Sequence, residues 1–142
     1  MEAETRIAIE SDADVVTARQ RARELAAELE LSPTDQTLLA TAISEVARNI
    51  TTYATRGEVR LSIVRDGDGR QGIEVVATDQ GPGIEDIDRA LQDGYTTGGG
   101  LGLGLPGARR LVDEFDIQSG PSGGTTVTLV MWGRSASRGV RA

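Results

Sequence analysis

Apolar and polar residues alternate from Thr5 to Ile9, and the stretch is rich in β-branched residues, which predicts a first strand. Ser11-Asp12-Ala13-Asp14 then carries a helix-start signal, with Ser11 as N-cap and an acid three residues on. The apolar positions Val15, Val16, Ala18, Ala22, Leu25, Ala26 and Leu29 predict the helix that follows. Ser32-Pro33-Thr34-Asp35 repeats the signal, now with proline at the first helical position. The second helix should run to about Tyr53, with Leu38, Leu39, Ala42, Ile43, Val46 and Ile50 as its apolar stripe, until Gly57 breaks the pattern.

Alternation returns over Glu58–Arg65, with Val59, Leu61 and Ile63 on one face. Asp66-Gly67-Asp68-Gly69 reads as a hairpin turn, Ile73–Thr78 as the returning strand, and Asp79 as its end. Gln80 to Ile84 is turn chemistry, and Ile87–Leu91 suits a short helix. Gly94–Gly104 is glycine-rich and reads as a mobile segment, after which Pro106 opens a helix through Ala108, Leu111 and Val112. Strands near Phe115–Gln118 and Thr125–Met131 close the pattern, with a turn over Pro121–Gly124 between them. The order is strand, two helices, hairpin, helix, hairpin. It predicts an α+β two-layer sandwich, with a mostly antiparallel sheet and helices on one face. The reading is one domain over residues 1–133 and a frayed, basic tail over 134–142.

Composition narrows the chemistry. The chain has 142 residues, with no cysteine and no histidine, which excludes disulfides, thiolate zinc, His-based triads and phospho-histidine within it. All 15 basic residues are arginine, so a Walker A loop, which needs its lysine, is excluded too. A net charge of −7 and 3% aromatics argue against nucleic acid as a partner. No stretch approaches the ~20 apolar residues of a membrane span and no signal-peptide pattern opens the chain, so a soluble, cytoplasmic protein is expected.

Glu45 and Asn49 lie four residues apart, on one edge of the second helix's apolar stripe at ~100° per residue. They are expected to be half-buried and to point the same way. An amide oxygen can ligate a hard cation such as Mg²⁺, and a carboxylate can take a proton from a hydroxyl. An ordinary amphipathic helix with two polar edge residues has the same pattern. Arg48, roughly 160° from the stripe centre by the same step, is expected to face away from the core, toward solvent, a partner or phosphate. Asp79-Gln80-Gly81-Pro82-Gly83 ends a strand in a carboxylate, followed by two spaced glycines. The carboxylate could accept a hydrogen bond from an exocyclic amine, and Gly81 and Gly83 would let the backbone approach a flat ligand. A plain solvent turn is the other reading.

Gly98-Gly99-Gly100-Leu101-Gly102-Leu103-Gly104-Leu105 runs straight into a helix start, the arrangement of an anion site. Gly102–Gly107 also fits G-x-G-x-x-G, but it follows a glycine segment rather than a strand, so a dinucleotide-binding reading is rejected. Gly123-Gly124-Thr125-Thr126 leads into the last strand. A threonine there could hold Asp79 or a water on a base, or simply begin a strand.

In order, the motifs are E-x-x-x-N, D-x-G-x-G, G-x-G-L-G-L and G-T. Together they resemble the GHKL ATPase superfamily over about residues 5–133, and within it the small bacterial serine/threonine kinases of the anti-sigma and stressosome branch. The stretches Ile43–Ile50 and Gly102–Leu111 are similar to the stressosome switch kinases in particular. The resemblance implies a Bergerat fold with ATP and Mg²⁺ as cofactors. It implies Glu45 as base, Asn49 on Mg²⁺, and Asp79 on the adenine amino group with Gly81 and Gly83 beside it. It also implies Gly98, Gly100, Gly102 and Gly104 around the phosphates and Thr125 supporting the adenine. Arg48 and Arg109 are candidates for contact with phosphate or a partner.

The implied reaction is phosphorylation of a serine or threonine on a STAS-domain partner, in a partner-switching stress pathway that also activates a PP2C-type phosphatase. The alternative is an anti-sigma factor kinase that sequesters a sigma factor and phosphorylates an anti-anti-sigma STAS protein.

Overall fold

The computed structural model describes residues 4–54, 56–81, 104–119 and 124–133. Strand β1 (Thr5–Ile9) leads into helices α1 (Asp12–Glu28) and α2 (Pro33–Tyr53). The hairpin strands β2 (Gly57–Arg65) and β3 (Gln71–Asp79) follow. Helix α3 (Gly104–Leu111) precedes a second hairpin, β4 (Glu114–Ser119) and β5 (Thr125–Trp132). The five strands form one antiparallel sheet in the order β1-β2-β3-β5-β4. The last strand therefore sits inside the sheet, against β3, and leaves β4 at the edge. Helix α2 packs on β1, β2, β3 and β5, while α1 and α3 flank α2. This is the expected α+β sandwich.

Both helix starts follow their sequence signals. The Asp14 carboxylate accepts from the Ser11 N–H at 3.2 Å, and Ser32 Oγ accepts from the Asp35 N–H at 3.0 Å with Pro33 at the first helical position. The β2–β3 turn is held by Asp66, whose Oδ1 accepts the N–H groups of Asp68 and Arg70, both at 2.9 Å.

The core is laid out in transverse rows on the helix-facing side of the sheet. One row is Thr5, Leu61, Val75, Leu129 and Phe115, and the next is Ile7, Val59, Ala77, Val127 and Ile117. Leu39, Ala42, Ile43, Val46 and Ile50 of α2 are buried with them in one cluster. Burying each large aliphatic side chain stabilises the fold by about 1.5–3 kcal/mol.

Some boundaries differ from the sequence reading. Strand β3 starts at Gln71 rather than Ile73, because its N-terminal end pairs with both β2 and the end of β5. Helix α3 begins at Gly104, two residues before Pro106, which its first turn accommodates. The predicted helix Ile87–Leu91, nearly all of the glycine segment 94–104, most of the 121–124 turn and the tail 134–142 lie outside the described residues.

Candidate functional site

The next helix-facing row after the two apolar ones changes character. It reads Ile9, Gly57, Asp79, Thr125 and Ser119 across the five strands. Period-two alternation carries the side chains of β3 and β5 inward along Ile73, Val75, Ala77 and Asp79, and along Met131, Leu129, Val127 and Thr125. The core thus ends in a carboxylate and a hydroxyl side by side. Asp79 is 7% exposed and Thr125 6%.

Hydrogen bonds fix this end of the sheet. Asp79 Oδ1 accepts from the Gly81 N–H at 2.8 Å, closing a turn directly after β3. The Gly81 carbonyl in turn accepts the Gly124 N–H. Among the described residues Asp79 Oδ2 makes no hydrogen bond, although the side chain is buried. A buried carboxylate oxygen without a partner is costly unless a ligand supplies a donor.

Two glycines are structurally required here. Gly124 has φ +87° and passes the Asp79 carbonyl so closely that a Cβ would lie 3.0 Å from it. Gly57 faces Asp79 across the ladder, where a Cβ would run into the Thr78 carbonyl oxygen and come within 2.9 Å of Ile50 Cγ2. Gly57 thus lets α2 and β3 close on one another beside Asp79.

Helix α2 carries the second half of the site. Residues Ala42 to Ala47 are buried without a break, because the sheet, α1 and α3 cover α2 from three sides. Glu45 is therefore only 7% exposed, deeper than its place at the edge of a single apolar stripe predicts. Asn49, one turn on, is half-buried, and among the described residues its carboxamide makes no hydrogen bond.

Arg48 departs from its predicted outward orientation. Its guanidinium folds back to the Glu45 carboxylate, Nη1 to Oε2 at 3.3 Å, and its side chain is 34% exposed. A buried carboxylate draws in the nearest cation, and the aliphatic stem of arginine covers apolar surface on the way.

The sequence-predicted residues thus fall into two groups. Asp79, Gly81 and Thr125 meet at the end of the sheet, with Glu45, Arg48 and Asn49 on the helix that packs over it. Gly104 is the first residue of α3, which packs against α2, and Arg109 and Arg110 are exposed near its other end. Gly83, Gly98, Gly100 and Gly102 lie outside the described residues.

Sequence reasoning missed three contributors. Gly57 read only as a helix breaker. Ser119, directly across from Thr125, sits 3.1 Å from both the Gly124 carbonyl oxygen and Thr125 Oγ1. Ser44, buried on α2, turns its hydroxyl back to the Ala40 carbonyl at 2.9 Å. The register pairing of β4 with β5 was the signal for Ser119, and it exists only in three dimensions.

These donors and acceptors suit a purine nucleotide and a hard cation. A buried carboxylate with an unpartnered oxygen can accept from an exocyclic amine. A half-buried amide oxygen can join phosphate oxygens and water around Mg²⁺, which commonly takes only one or two protein ligands. Among the described residues no group of three or more His, Cys, Asp or Glu could hold a metal by itself. Among them, too, no helix is long and apolar enough to cross a membrane.

Residues 9–131 match the model of the family described as histidine kinase-like ATPase domain. Serine/threonine-protein kinase RsbT of Bacillus subtilis (strain 168) is 45% identical over 126 residues, which span 89% of this chain and 94% of that protein. An anti-sigma F factor of Caldanaerobacter subterraneus subsp. tengcongensis is 30% identical over 110 residues, 72% of this chain and 76% of that one. Among solved structures, the RsbU and RsbW domains of Rv1364c from Mycobacterium tuberculosis superpose with a TM-score of 0.61 at 26% identity. That match covers 92% of this chain and 32% of the longer one. With its polar row closing an antiparallel sheet and its glutamate and asparagine on the covering helix, the chain belongs to the histidine kinase-like ATPase family, as a serine/threonine protein kinase of the branch that includes RsbT.

Proposed function

We propose that the protein transfers the γ-phosphoryl group of ATP to a serine or threonine hydroxyl on a STAS-domain partner, and that this transfer drives partner switching in a bacterial stress pathway. One observation carries the reading: Glu45 is buried on α2 one turn before an Asn49 carboxamide without a partner among the described residues. A phosphoryl-transfer site needs a base beside the phosphate-bound cation, and that is the pairing the helix offers.

In this reading Asp79 Oδ2 accepts from the adenine amino group, with Gly81 and Gly83 beside the base and Thr125 supporting it. Asn49 would hold Mg²⁺, which when bound would neutralise phosphate charge. Gly98, Gly100, Gly102 and Gly104 offer backbone N–H groups to the phosphates, an assignment made on sequence alone. Glu45 takes the proton of the partner's hydroxyl as that oxygen bonds to the γ-phosphorus and the bond to the β–γ bridging oxygen breaks, releasing ADP. Arg48, ion-paired with Glu45 at 3.3 Å, holds that carboxylate in place until the hydroxyl arrives. Since the chain has no lysine, any side-chain cation that meets the γ-phosphate is an arginine, with Arg48 and Arg109 the candidates. The phosphorylated partner would then release the kinase to a second partner, a PP2C-type phosphatase regulator.

The anti-sigma reading has one observation in its favour, the 30% identity to an anti-sigma F factor. The greater identity to RsbT over nearly the whole chain favours the switch-kinase reading. The test is incubation with γ-labelled Mg-ATP and a purified STAS-domain protein encoded beside the gene. Label on a serine or threonine of that protein is the expected result. Label on the STAS protein together with capture of a sigma factor would support the anti-sigma alternative instead, and tight ATP binding with no label on any STAS protein would contradict both readings.

A further inference from the structure

A base beside a bound γ-phosphate does not by itself choose which hydroxyl it serves. Water is smaller than any protein partner and reaches the site without one. In that wasted reaction the oxygen of water bonds to the γ-phosphorus and the bond to the β–γ bridging oxygen breaks. Glu45 takes the proton, and ADP and inorganic phosphate leave. A kinase that serves a protein acceptor gains by holding this side reaction down until the acceptor is present.

Helix α2 carries a means of doing so. At ~100° per residue, Glu45 projects between Arg48, about 60° to one side, and Asn49, about 40° to the other. On the Arg48 side the carboxylate is engaged, because Arg48 Nη1 donates to Glu45 Oε2 at 3.3 Å. The two members of the pair differ in access. Glu45 is 7% exposed and Arg48 34%, so Arg48 is the member that a docking protein meets. The distance is longer than the about 2.7–2.9 Å of a tight charge-assisted hydrogen bond, so the contact is one that docking can break. Glu45 is not held by Arg48 alone, but Arg48 is the contact within a partner's reach.

We propose that Arg48 is a positioning residue that sets acceptor selectivity, by occupying Glu45 in the free protein and releasing it when the partner docks. The proposal rests on Glu45 as the base under Proposed function and adds the regulation of that base. Arg48 acts through Glu45. While the pair is closed, an oxygen of the base is turned to a guanidinium rather than to a water at the γ-phosphate. Docking displaces the half-exposed Arg48 and opens Glu45 to the one hydroxyl that the partner presents, which couples the chemistry to the presence of the correct acceptor.

The test measures two rates in wild type, Arg48→Met and Arg48→Lys, alone and combined with Glu45→Gln. One is ATP hydrolysis by the protein alone, and the other is single-turnover transfer to the STAS-domain protein. Arg48→Met keeps an apolar stem over the helix, and Arg48→Lys keeps a stem and a charge. Hydrolysis without partner should rise about twofold to tenfold in Arg48→Met, the range of one partly exposed charged contact, and by less in Arg48→Lys. The ratio of transfer to hydrolysis should fall by at least the same factor, a change that a general loss of structure would not produce. With Glu45→Gln, Arg48→Met should raise hydrolysis no further. In nitrogen NMR spectra of the protein without nucleotide, the Arg48 guanidinium signal should move in Glu45→Gln and on saturation with the STAS-domain protein. Hydrolysis unchanged or lowered in both Arg48 variants, a rise that persists with Glu45→Gln, or an Arg48 signal that the partner leaves in place would overturn the role given to Arg48 while leaving Glu45 as the base. Transfer by Glu45→Gln at the wild-type rate would overturn the base itself, and this proposal with it.

Discussion

At the scale of single residues, the site depends on acceptors that the fold buries before any ligand arrives. Asp79 is the clearest case, because the ladder pins its backbone on both sides and the Gly81 N–H fixes one oxygen. Asp79→Asn keeps the shape and the bond to Gly81 but presents an NH₂ group where a carboxylate stood. ATP affinity should fall about tenfold to a hundredfold, the scale of a hydrogen bond to a charged group. Calorimetric titration of the variant checks this, and an affinity equal to wild type would remove Asp79 from the base site.

A second residue prediction concerns Asp66, away from the site. Partial burial pushes its carboxyl upward, but the N–H groups of Arg70 and Asp68 and the Arg70 guanidinium outweigh that and hold it below the ordinary 3.8. A carboxyl whose folded value is depressed stabilises the fold above its unfolded value, and loses that contribution as the pH drops through the folded one. Asp66→Asn should therefore melt below wild type at neutral pH, and the gap should close at pH values under 3.8. The fluorescence of Trp132 can follow the melt, since it is the only tryptophan and its ring lies 5.1 Å from the Arg70 guanidinium carbon.

At the scale of elements, α2 and the ends of β3 and β5 are what bring the chemistry together. Gly57 is the tightest point between them, so Gly57→Ala should cost about 1–3 kcal/mol of stability, as overpacking commonly does. It should also weaken ATP binding by displacing the end of β3. Gly67→Ala, at a position with nothing within 4 Å of the added carbon, should do neither. Denaturant titration and nucleotide affinity measured on both variants would check the pair.

The local elements were legible because their signals are local. Ser11 and Ser32 as caps, the alternation of β2, and the stripe of α2 each depend on a few neighbouring residues. The depth of Glu45 was not legible, since a periodicity argument gives a helix one buried face and α2 is covered on three sides. The inward turn of Arg48 follows from the same burial, which a helical wheel cannot show. Ser119 and Gly57 were missed for a related reason. Each matters through its partner across a ladder, Asp79 for Gly57 and Thr125 for Ser119, and register is a property of the assembled sheet.

At the scale of the whole molecule, one hydrophobic cluster links β1, β2, β3, β5 and the three described helices, with Phe115 and Ile117 of β4 packed against it. The helix-facing rows of the sheet are apolar up to the last, which is polar, so the position of the site follows from where the core stops. In the proposed function, this arrangement gives the kinase Glu45 as its base. The most direct measurement is single-turnover transfer of γ-labelled phosphate from Mg-ATP to a purified cognate STAS-domain protein, with wild type and Glu45→Ala side by side and ATP affinity measured for both. General-base catalysis contributes roughly 10²–10⁴ in rate. The variant should therefore lose at least about a hundredfold in transfer while binding ATP within a few-fold of wild type. Transfer by Glu45→Ala at the wild-type rate would contradict the role of Glu45, and with it the site as assembled around α2.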